Sequence, residues 1–388
     1  MRLWRRRPEQ RTIPDGGPVW PQGGWAPFAP ASAADALQVA DVFACVRCLS
    51  DAAASVPLIP YRQTTSGRQR LNSGRLFDLL QRPAPATTQA NLTGQMVAHL
   101  TLYGNSYLGK FRDGEGRLEE LALLHPDRVQ VELVAGKPLY TVSDPSSGRQ
   151  SKHGTDDIVH VKALSTDGLL GLSPIKECKL ALASSRGLGV FTEAFFRHGG
   201  RPSGILRVSG PGDLDKVADD AQERHGGAAN AHRIAVVRAD ELEWIALAGP
   251  LDDLQFVEQR HLSTAEIARI FRVPVWMIGG TTGDSLTYSN TEQQQLAFVT
   301  HSLRPWLVLI EQAISADRDL CAANTYVEFL LDALLRADSK TRAEVYAAAL
   351  DPITGWMTRE EVRRLENLEP EPADQIPQLS ANGERAIA

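Results

Sequence analysis

Two long helical periodicities joined by a polar loop constrain this chain more than any other feature. Over 252–272, Leu254, Val257, His261, Ala265, Ala268 and Phe271 line one side of a helix. Gly249 and Pro250 suit its cap and first position, and Asp252 and Asp253 stand where carboxylates complement the helix dipole. Val273-Pro274 ends it, because proline pushes the preceding residue out of the α region. A second helix is expected over 289–315, interrupted or kinked at Arg304-Pro305 by the missing amide. The connector, G-G-T-T-G-D-S-L-T-Y from Gly279 to Tyr288, is made of small and polar residues.

The rest of the chain alternates between helical and strand patterns. Residues 1–34 are rich in Pro, Gly and Arg and read as an extended arm. From Asp35 a helix is expected, with Val39, Val42, Phe43, Val46, Leu49 and Ala53 on its apolar face until Pro57. Strands are expected at Leu58–Tyr61, Ser106–Phe111, Val129–Val134 and Ile158–Val161, with helices near Arg75–Gln81 and Asn91–Tyr103, which makes a mixed α+β domain. Over 173–198 the pattern predicts one helix with Pro174 at its first position. Its small residues Ala183, Ser185, Gly187 and Gly189 invite close neighbours on more than one side. An insert over 201–250 reads as strand, acidic helix and two further strands. A strand at Tyr326–Leu330, helices near Ser339–Leu350 and Thr358–Leu365, and a Pro- and Glu-containing tail from Glu369 complete the pattern.

Charge and motif content remove several function classes from consideration. A net charge of -6 lacks the basic footprint of a protein that clamps nucleic acid. Four scattered cysteines do not suggest a disulfide framework, and no apolar run approaches the roughly 18 residues of a membrane span, so a soluble protein with no membrane partner is expected. Cys45 and Cys48 have CxxC spacing inside an amphipathic helix, where packing is the expected role. His153, Asp156, Asp157 and His160 resemble metal ligands only briefly, and a strand edge with solvated charges is the better reading. No metal or cofactor is expected. A Walker A signature and a G-x-S-x-G elbow are both missing, so no catalytic residues are assigned.

The helix ending in E-I-A-R-x-F-x-V-P, followed by Q-x-x-L-x-F-V and L-R-P-W, resembles the portal proteins of the Hong Kong 97-like siphovirus family. L-Y-G-N-S-Y at Leu102–Tyr107, G-L-S-P-I at Gly171–Ile175 and G-W-M-T-R-E-E-V-R-R-L-E-N-L at Gly355–Leu368 extend the likeness in the same order. The resemblance implies an α+β portal fold with these parts: a wing over 35–172, stem helices over 173–200 and 251–273, a clip over 201–250, a tunnel loop and long wing helix over 274–334, and a crown over 335–368. The arm 1–34 and a disordered tail over 369–388 flank them.

It also implies a role that is mechanical, not enzymatic. About twelve copies would form a ring at one capsid vertex of a phage or gene transfer agent particle, assembled in the host cytoplasm. Its partners would be the large terminase, a head-tail adaptor, the major capsid protein and double-stranded DNA in transit. The alternative is a nuclease or other DNA-processing subunit of the packaging complex. Thr281, Thr282, Asp284, Ser285, Thr287 and Tyr288 are the expected channel lining, able to touch a phosphate backbone weakly without reading bases. One well-aimed Arg per copy would already exceed the roughly 6 to 10 phosphate contacts of strong salt-dependent binders, and DNA would stick. Asp213, Asp215, Asp219, Asp220 and Glu223 are the expected docking face of the clip, repelling phosphate and attracting a basic partner.

Overall fold

The computed structural model describes residues 32–65, 67–145, 147–197, 204–208, 242–246, 253–280, 288–331, 339–352 and 354–365. The chain divides into two compact units, Met1–Phe329 and Leu330–Ala388.

The first unit begins with a short helix α1 (Ala33–Ala36), a break at 37–39, and then α2 (Ala40–Ala54). The single helix expected from Asp35 is therefore two. A capping box between Ser32 and Asp35 closes α1, and Val39 stays buried as the first non-helical residue of α2, so the apolar spacing runs on through the break. Phe43, placed on the core face by periodicity, is instead half exposed, and Cys45 takes the inward position.

Strand β1 (Leu58–Thr64) follows and pairs antiparallel with the exposed β2 (Gly67–Arg70). Then come α3 (Arg75–Gln81) and α4 (Gln89–Tyr103), the latter capped by the Thr88 hydroxyl and ended by Gly104 in the left-handed conformation. α2 packs on α4 through fully buried Leu49, Met96 and Leu100. Each such side chain contributes roughly 1.5–3 kcal/mol by leaving water.

Two three-stranded sheets extend the body. One is β4-β3-β8, formed by β3 (Asn105–Arg112), β4 (Leu118–Leu124) and β8 (Ile158–Lys162). The other is β5-β6-β7, formed by β5 (Val129–Val134), β6 (Lys137–Ser143) and β7 (Gln150–His153). All pairings are antiparallel. Where sequence reading expects solvated charges at a strand edge, His160 of β8 is partly buried among aromatic rings: it stacks on Tyr107 at 4.4 Å and meets Tyr140 edge-on at 5.7 Å.

The helix expected over 173–198 is also divided. α5 (Pro174–Glu177) carries Pro174 at its first turn with Ser173 as cap, Cys178 departs from helical geometry, and α6 (Lys179–Arg197) continues. β9 (Gly204–Val208) and β10 (Leu242–Ala246) pair antiparallel, matching two of the strands expected in the insert. α7 (Asp253–Phe271) then packs against α6 and α2. Its inward face is Ile267, Ala268 and Phe271, whereas His261, expected inward, is exposed.

The last helix of this unit is one rod with a local change of winding. α8 (Tyr288–Ala297) passes through a π-helical turn at Phe298–Leu303 into α9 (Arg304–Ala316). Pro305 cannot donate, and its ring crowds the carbonyl four residues back, so the loosened turn falls just before it. β11 (Thr325–Phe329) returns to pair with β1 and completes the sheet β11-β1-β2. Lys110, on β3 with its side chain 2% exposed, holds Asp317 at 2.6 Å just beyond α9, and Arg112 holds Asp319 at 2.6 Å. The second unit contains α10 (Ser339–Ala349) and α11 (Arg359–Leu365), the latter started by a capping box between Thr358 and Glu361.

Candidate functional site

The base of the α6–α7 pair is set by a corner built from two short segments far apart in sequence. α4 must turn sharply into β3, and Gly104 makes that turn at φ +73. Its carbonyl accepts from the Ala163 N–H at 2.8 Å, and Gly171 approaches so closely that an added Cβ there would stand 2.0 Å from the Gly104 oxygen. Asn105 is 7% exposed and fully satisfied: its amide donates to the carbonyls of Tyr103 (3.0 Å) and Gly171 (2.8 Å), while its oxygen accepts from the Gly171 N–H (2.8 Å). Ser173 then donates to the Leu102 carbonyl at 2.6 Å while accepting from the Lys176 N–H. Chain direction into α5 is thus fixed by α4 and β3 before any long helix begins.

His160 completes the corner. Its Nε2 lies 2.9 Å from the Asn105 oxygen, which has no proton to give, so the ring donates and is the neutral Nε2-H tautomer. Burial, aided by the Lys162 charge, drives its pKa down to about 3. His99 on α4 is likewise pushed down to about 4 by burial and then by His125. The folded protein therefore resists a proton that the unfolded chain accepts near pH 6.5. Above that pH the two states bind protons equally; below it stability falls by about 1.4 kcal/mol per pH unit for each such histidine until the folded pKa is reached. Urea unfolding between pH 7 and 4.5 is expected to show this decline, and His160→Gln, which keeps a donor to Asn105, is expected to flatten it. An unchanged slope in His160→Gln would refute the assignment.

The loop between α7 and α8 is anchored at both ends. After Phe271, Arg272 turns left-handed at φ +57 and the Val273 N–H bonds the Ala268 carbonyl at 2.9 Å. A 3₁₀ turn over Val275–Ile278 follows, with Gly279 at φ +84 and the Gly280 N–H returned to the Val275 carbonyl at 3.0 Å. Met277 meets Cys48 of α2 at 4.0 Å between sulfurs. From the far side, buried Ser302 in the π-helical turn donates to the Arg272 carbonyl at 2.5 Å. The two helices are therefore tied together below the loop they carry.

Of the expected channel residues, Tyr288 opens α8, and Thr281, Thr282, Asp284, Ser285 and Thr287 lie outside the described residues. Asp213, Asp215, Asp219, Asp220 and Glu223 also lie outside them. Cys45 is buried, and burial pushes its thiol up to about 12, so it stays protonated and packs as a small apolar group. The corner residues Asn105 and His160 were not singled out as a unit by sequence reading. The available signal was that both short segments, L-Y-G-N-S-Y and G-L-S-P-I, carry the glycine and polar cap of a close backbone approach.

This mixed helix-and-sheet fold is shared with solved chains from gene transfer agent particles and from a phage portal. A chain in the virion of a native gene transfer agent particle superposes with a TM-score of 0.60 at 26% identity, covering 89% of this chain and 95% of that one. A chain from the neck of a native gene transfer agent particle, computed with C12 symmetry, gives 0.59 at 25% identity, with 88% and 95% covered. A portal protein of the HK97 family from Corynebacterium diphtheriae, 17% identical, shares the fold at 0.59 with 80% and 98% covered. The family model for phage portal proteins matches residues 40–367, and the chain belongs to that family. The probable portal protein of Streptomyces phage phiC31 is 28% identical over 355 residues, 87% of this chain and 76% of that protein. The portal protein of Enterobacteria phage HK97 is 28% identical over 360 residues, 88% and 81% respectively.

Proposed function

We propose that this chain closes into a ring of about twelve copies at one vertex of a phage or gene transfer agent particle and forms the conduit for duplex DNA. The observation that carries this reading is the likeness, over 88% of the chain, to a neck subunit solved with C12 symmetry. In this reading α5–α6 and α7 are the stem, β9 and β10 belong to the clip, and the connector Gly279 to Tyr288 faces the DNA. The body 35–172 together with the long helix α8–α9 is the wing, and the second unit is the crown.

The DNA passes without sequence readout, because a lining of Thr, Ser and one Asp offers few fixed cations to phosphate. The acidic clip face docks the large terminase during packaging and a head-tail adaptor afterwards, while the wing meets the major capsid protein. Negative-stain images of the purified protein are expected to show rings with a central hole. Compact single particles without a pore, both purified and capsid-assembled, would end this reading, and magnesium-dependent DNA cleavage by the purified chain would point to an enzyme instead. Charge reversal at Asp219, Asp220 and Glu223 that left terminase binding unchanged would remove the clip from the docking role.

A further inference from the structure

The sheet β11-β1-β2 has two edges, and the fold treats them differently. At the β11 edge the backbone donors that point away from β1 are taken. The Thr325 N–H donates to the Ala322 carbonyl at 2.9 Å, the Val327 N–H to the Ser315 hydroxyl at 3.0 Å and the Phe329 N–H to the Glu311 carboxylate at 2.6 Å. Ser315 and Glu311 both stand on α9, so this edge is closed from within. At the β2 edge no described residue plays that part. The Leu71 N–H donates to the Pro60 carbonyl at 2.9 Å, and strand alternation then turns the N–H and C=O of Gln69 toward β1 and those of Arg68 and Arg70 outward. All of β2 is exposed, and among the described residues the outward backbone groups of Arg68 and Arg70 meet no partner.

That open edge is also basic. Between Asp51 and Asp78 the chain carries Arg62, Arg68, Arg70 and Arg75 and no carboxylate, in a protein whose net charge is -6. Arg68 and Arg70 share the sheet face of Tyr61 and Tyr326, because Arg70 is paired with Tyr61 and Tyr61 with Tyr326. Arg68 is held in place there: its guanidinium lies 5.1 Å over the Tyr61 ring, Tyr61 stacks on Tyr326 at 5.8 Å, and Glu328 pairs with Arg68 at 2.7 Å. Arg62 and Arg70 are exposed and have no ion-pair partner among the described residues. One guanidinium therefore stiffens the edge, and the Arg70 guanidinium beside it is left to meet an incoming charge.

We infer that the β2 edge accepts an extended acidic segment of another protein as a fourth, antiparallel strand of this sheet. The incoming backbone matches the outward N–H and C=O groups of Arg68 and Arg70, and carboxylates at every second residue fall opposite the two arginines on the same face. Charged residues on an edge strand ordinarily keep other strands away. Here the charge is of one sign, so it repels a second copy of the same edge and admits the opposite sign. The phosphates of duplex DNA are a poorer match, because they accept from the two N–H groups but leave the two outward carbonyls without a donor. The inference goes beyond the ring reading and does not depend on it.

The test measures fluorescence anisotropy of a short end-capped peptide of alternating Glu and Thr against the full chain. In the antiparallel pairing the Glu amides face β2 and the Thr amides face away. Methylating the Glu amide nitrogens is therefore expected to abolish binding, whereas methylating the Thr amide nitrogens leaves it in place. A peptide with Lys for Glu is expected not to bind. Arg70→Glu, at an exposed position whose N–H the hairpin does not use, is expected to keep its circular dichroism spectrum, weaken the Glu peptide by about tenfold or more and gain the Lys peptide. Should that variant fail to fold, the methylated pair on the natural chain decides alone. Equal binding of the two methylated peptides, equal binding of the Glu and Lys peptides, or no saturable binding of the Glu peptide would overturn the inference. A short DNA duplex that binds the natural chain and is lost in Arg70→Glu, with the Glu peptide inactive, would also overturn it and assign the edge to phosphate.

Discussion

Gly104→Ala is expected to lower the unfolding free energy by about 4 kcal/mol or more, whereas Gly168→Ala costs about 1 kcal/mol. The two glycines have nearly the same backbone, φ +73 and +72, so the conformational penalty of adding a side chain is common to both. What differs is the surroundings. A Cβ at Gly168 meets nothing within 4 Å, but at Gly104 it would stand 2.2 Å from the Leu172 carbonyl oxygen and 2.8 Å from that of Gly171. Those atoms are backbone, and they cannot rotate away. To make room, the 171–173 segment must leave α4, breaking the bonds of Asn105 to Gly171 and of Ser173 to Leu102. Each buried group left unpaired adds roughly 1–3 kcal/mol. Urea midpoints of the two variants, at unchanged slope, check the contrast; equal losses would mean that the corner yields easily and does not fix the start of α5.

That corner also shows how far the sequence could be read. The helices α4 and α7 and the strands β3, β5 and β8 were legible because each is an apolar run bounded by turn or cap residues. The strands β2, β4, β6 and β7 were not. β2 and β7, with G-R-Q-R and Q-S-K-H, are exposed hairpin partners whose strand character comes from pairing with a neighbour, a fact that no local pattern carries. The break before α2 was invisible because Val39 is buried on either side of the question. Pro305 announced a disturbance in the long helix but not that it takes the form of a π turn one turn earlier, since the steric conflict of proline falls on the preceding carbonyls. For the candidate site, the motif order led to the family, and the two short segments of that resemblance meet as halves of one corner. Their bonding across 66 residues could not be read from either segment alone. The channel and clip residues were chosen by composition, which speaks to charge and size and carries no geometry.

Lys110→Met is expected to cost about 3 kcal/mol, and most of that loss is expected to return in the double variant Lys110→Met/Asp317→Asn. Among the described residues Lys110 makes the one ion pair with Asp317, at 2.6 Å, and it also lies 3.6 Å from Asp319. The Lys110 side chain is 2% exposed and that of Asp317 11%. Removing the ammonium therefore leaves a carboxylate with little water and no direct ion-pair partner, only the more distant Arg112 charge, and the penalty is that of a poorly compensated buried ion. A methionine fills the space of the lysine stem, so the cost is electrostatic and not a cavity. Asp317 has a second duty: its other oxygen accepts from the N–H groups of Asp319 and Leu320, closing the turn that follows α9. Asparagine keeps that acceptor and removes the charge, which is why it is the rescuing partner and alanine is not. Asp319 reports on the same cluster. Burial alone would raise its pKa, but the Arg112 hydrogen bond and the charges of Lys110 and Arg112 together hold it below the usual carboxylate range. Its depressed pKa adds stability that is present above the unfolded carboxylate pKa and lost as pH falls through the folded one. In Lys110→Met part of that support disappears, so the variant's deficit is expected to be full at pH 7 and to shrink as pH falls and Asp319 takes up its proton. A deficit independent of pH would show that Lys110 acts through packing and that the tie between β3 and the end of α9 is not ionic.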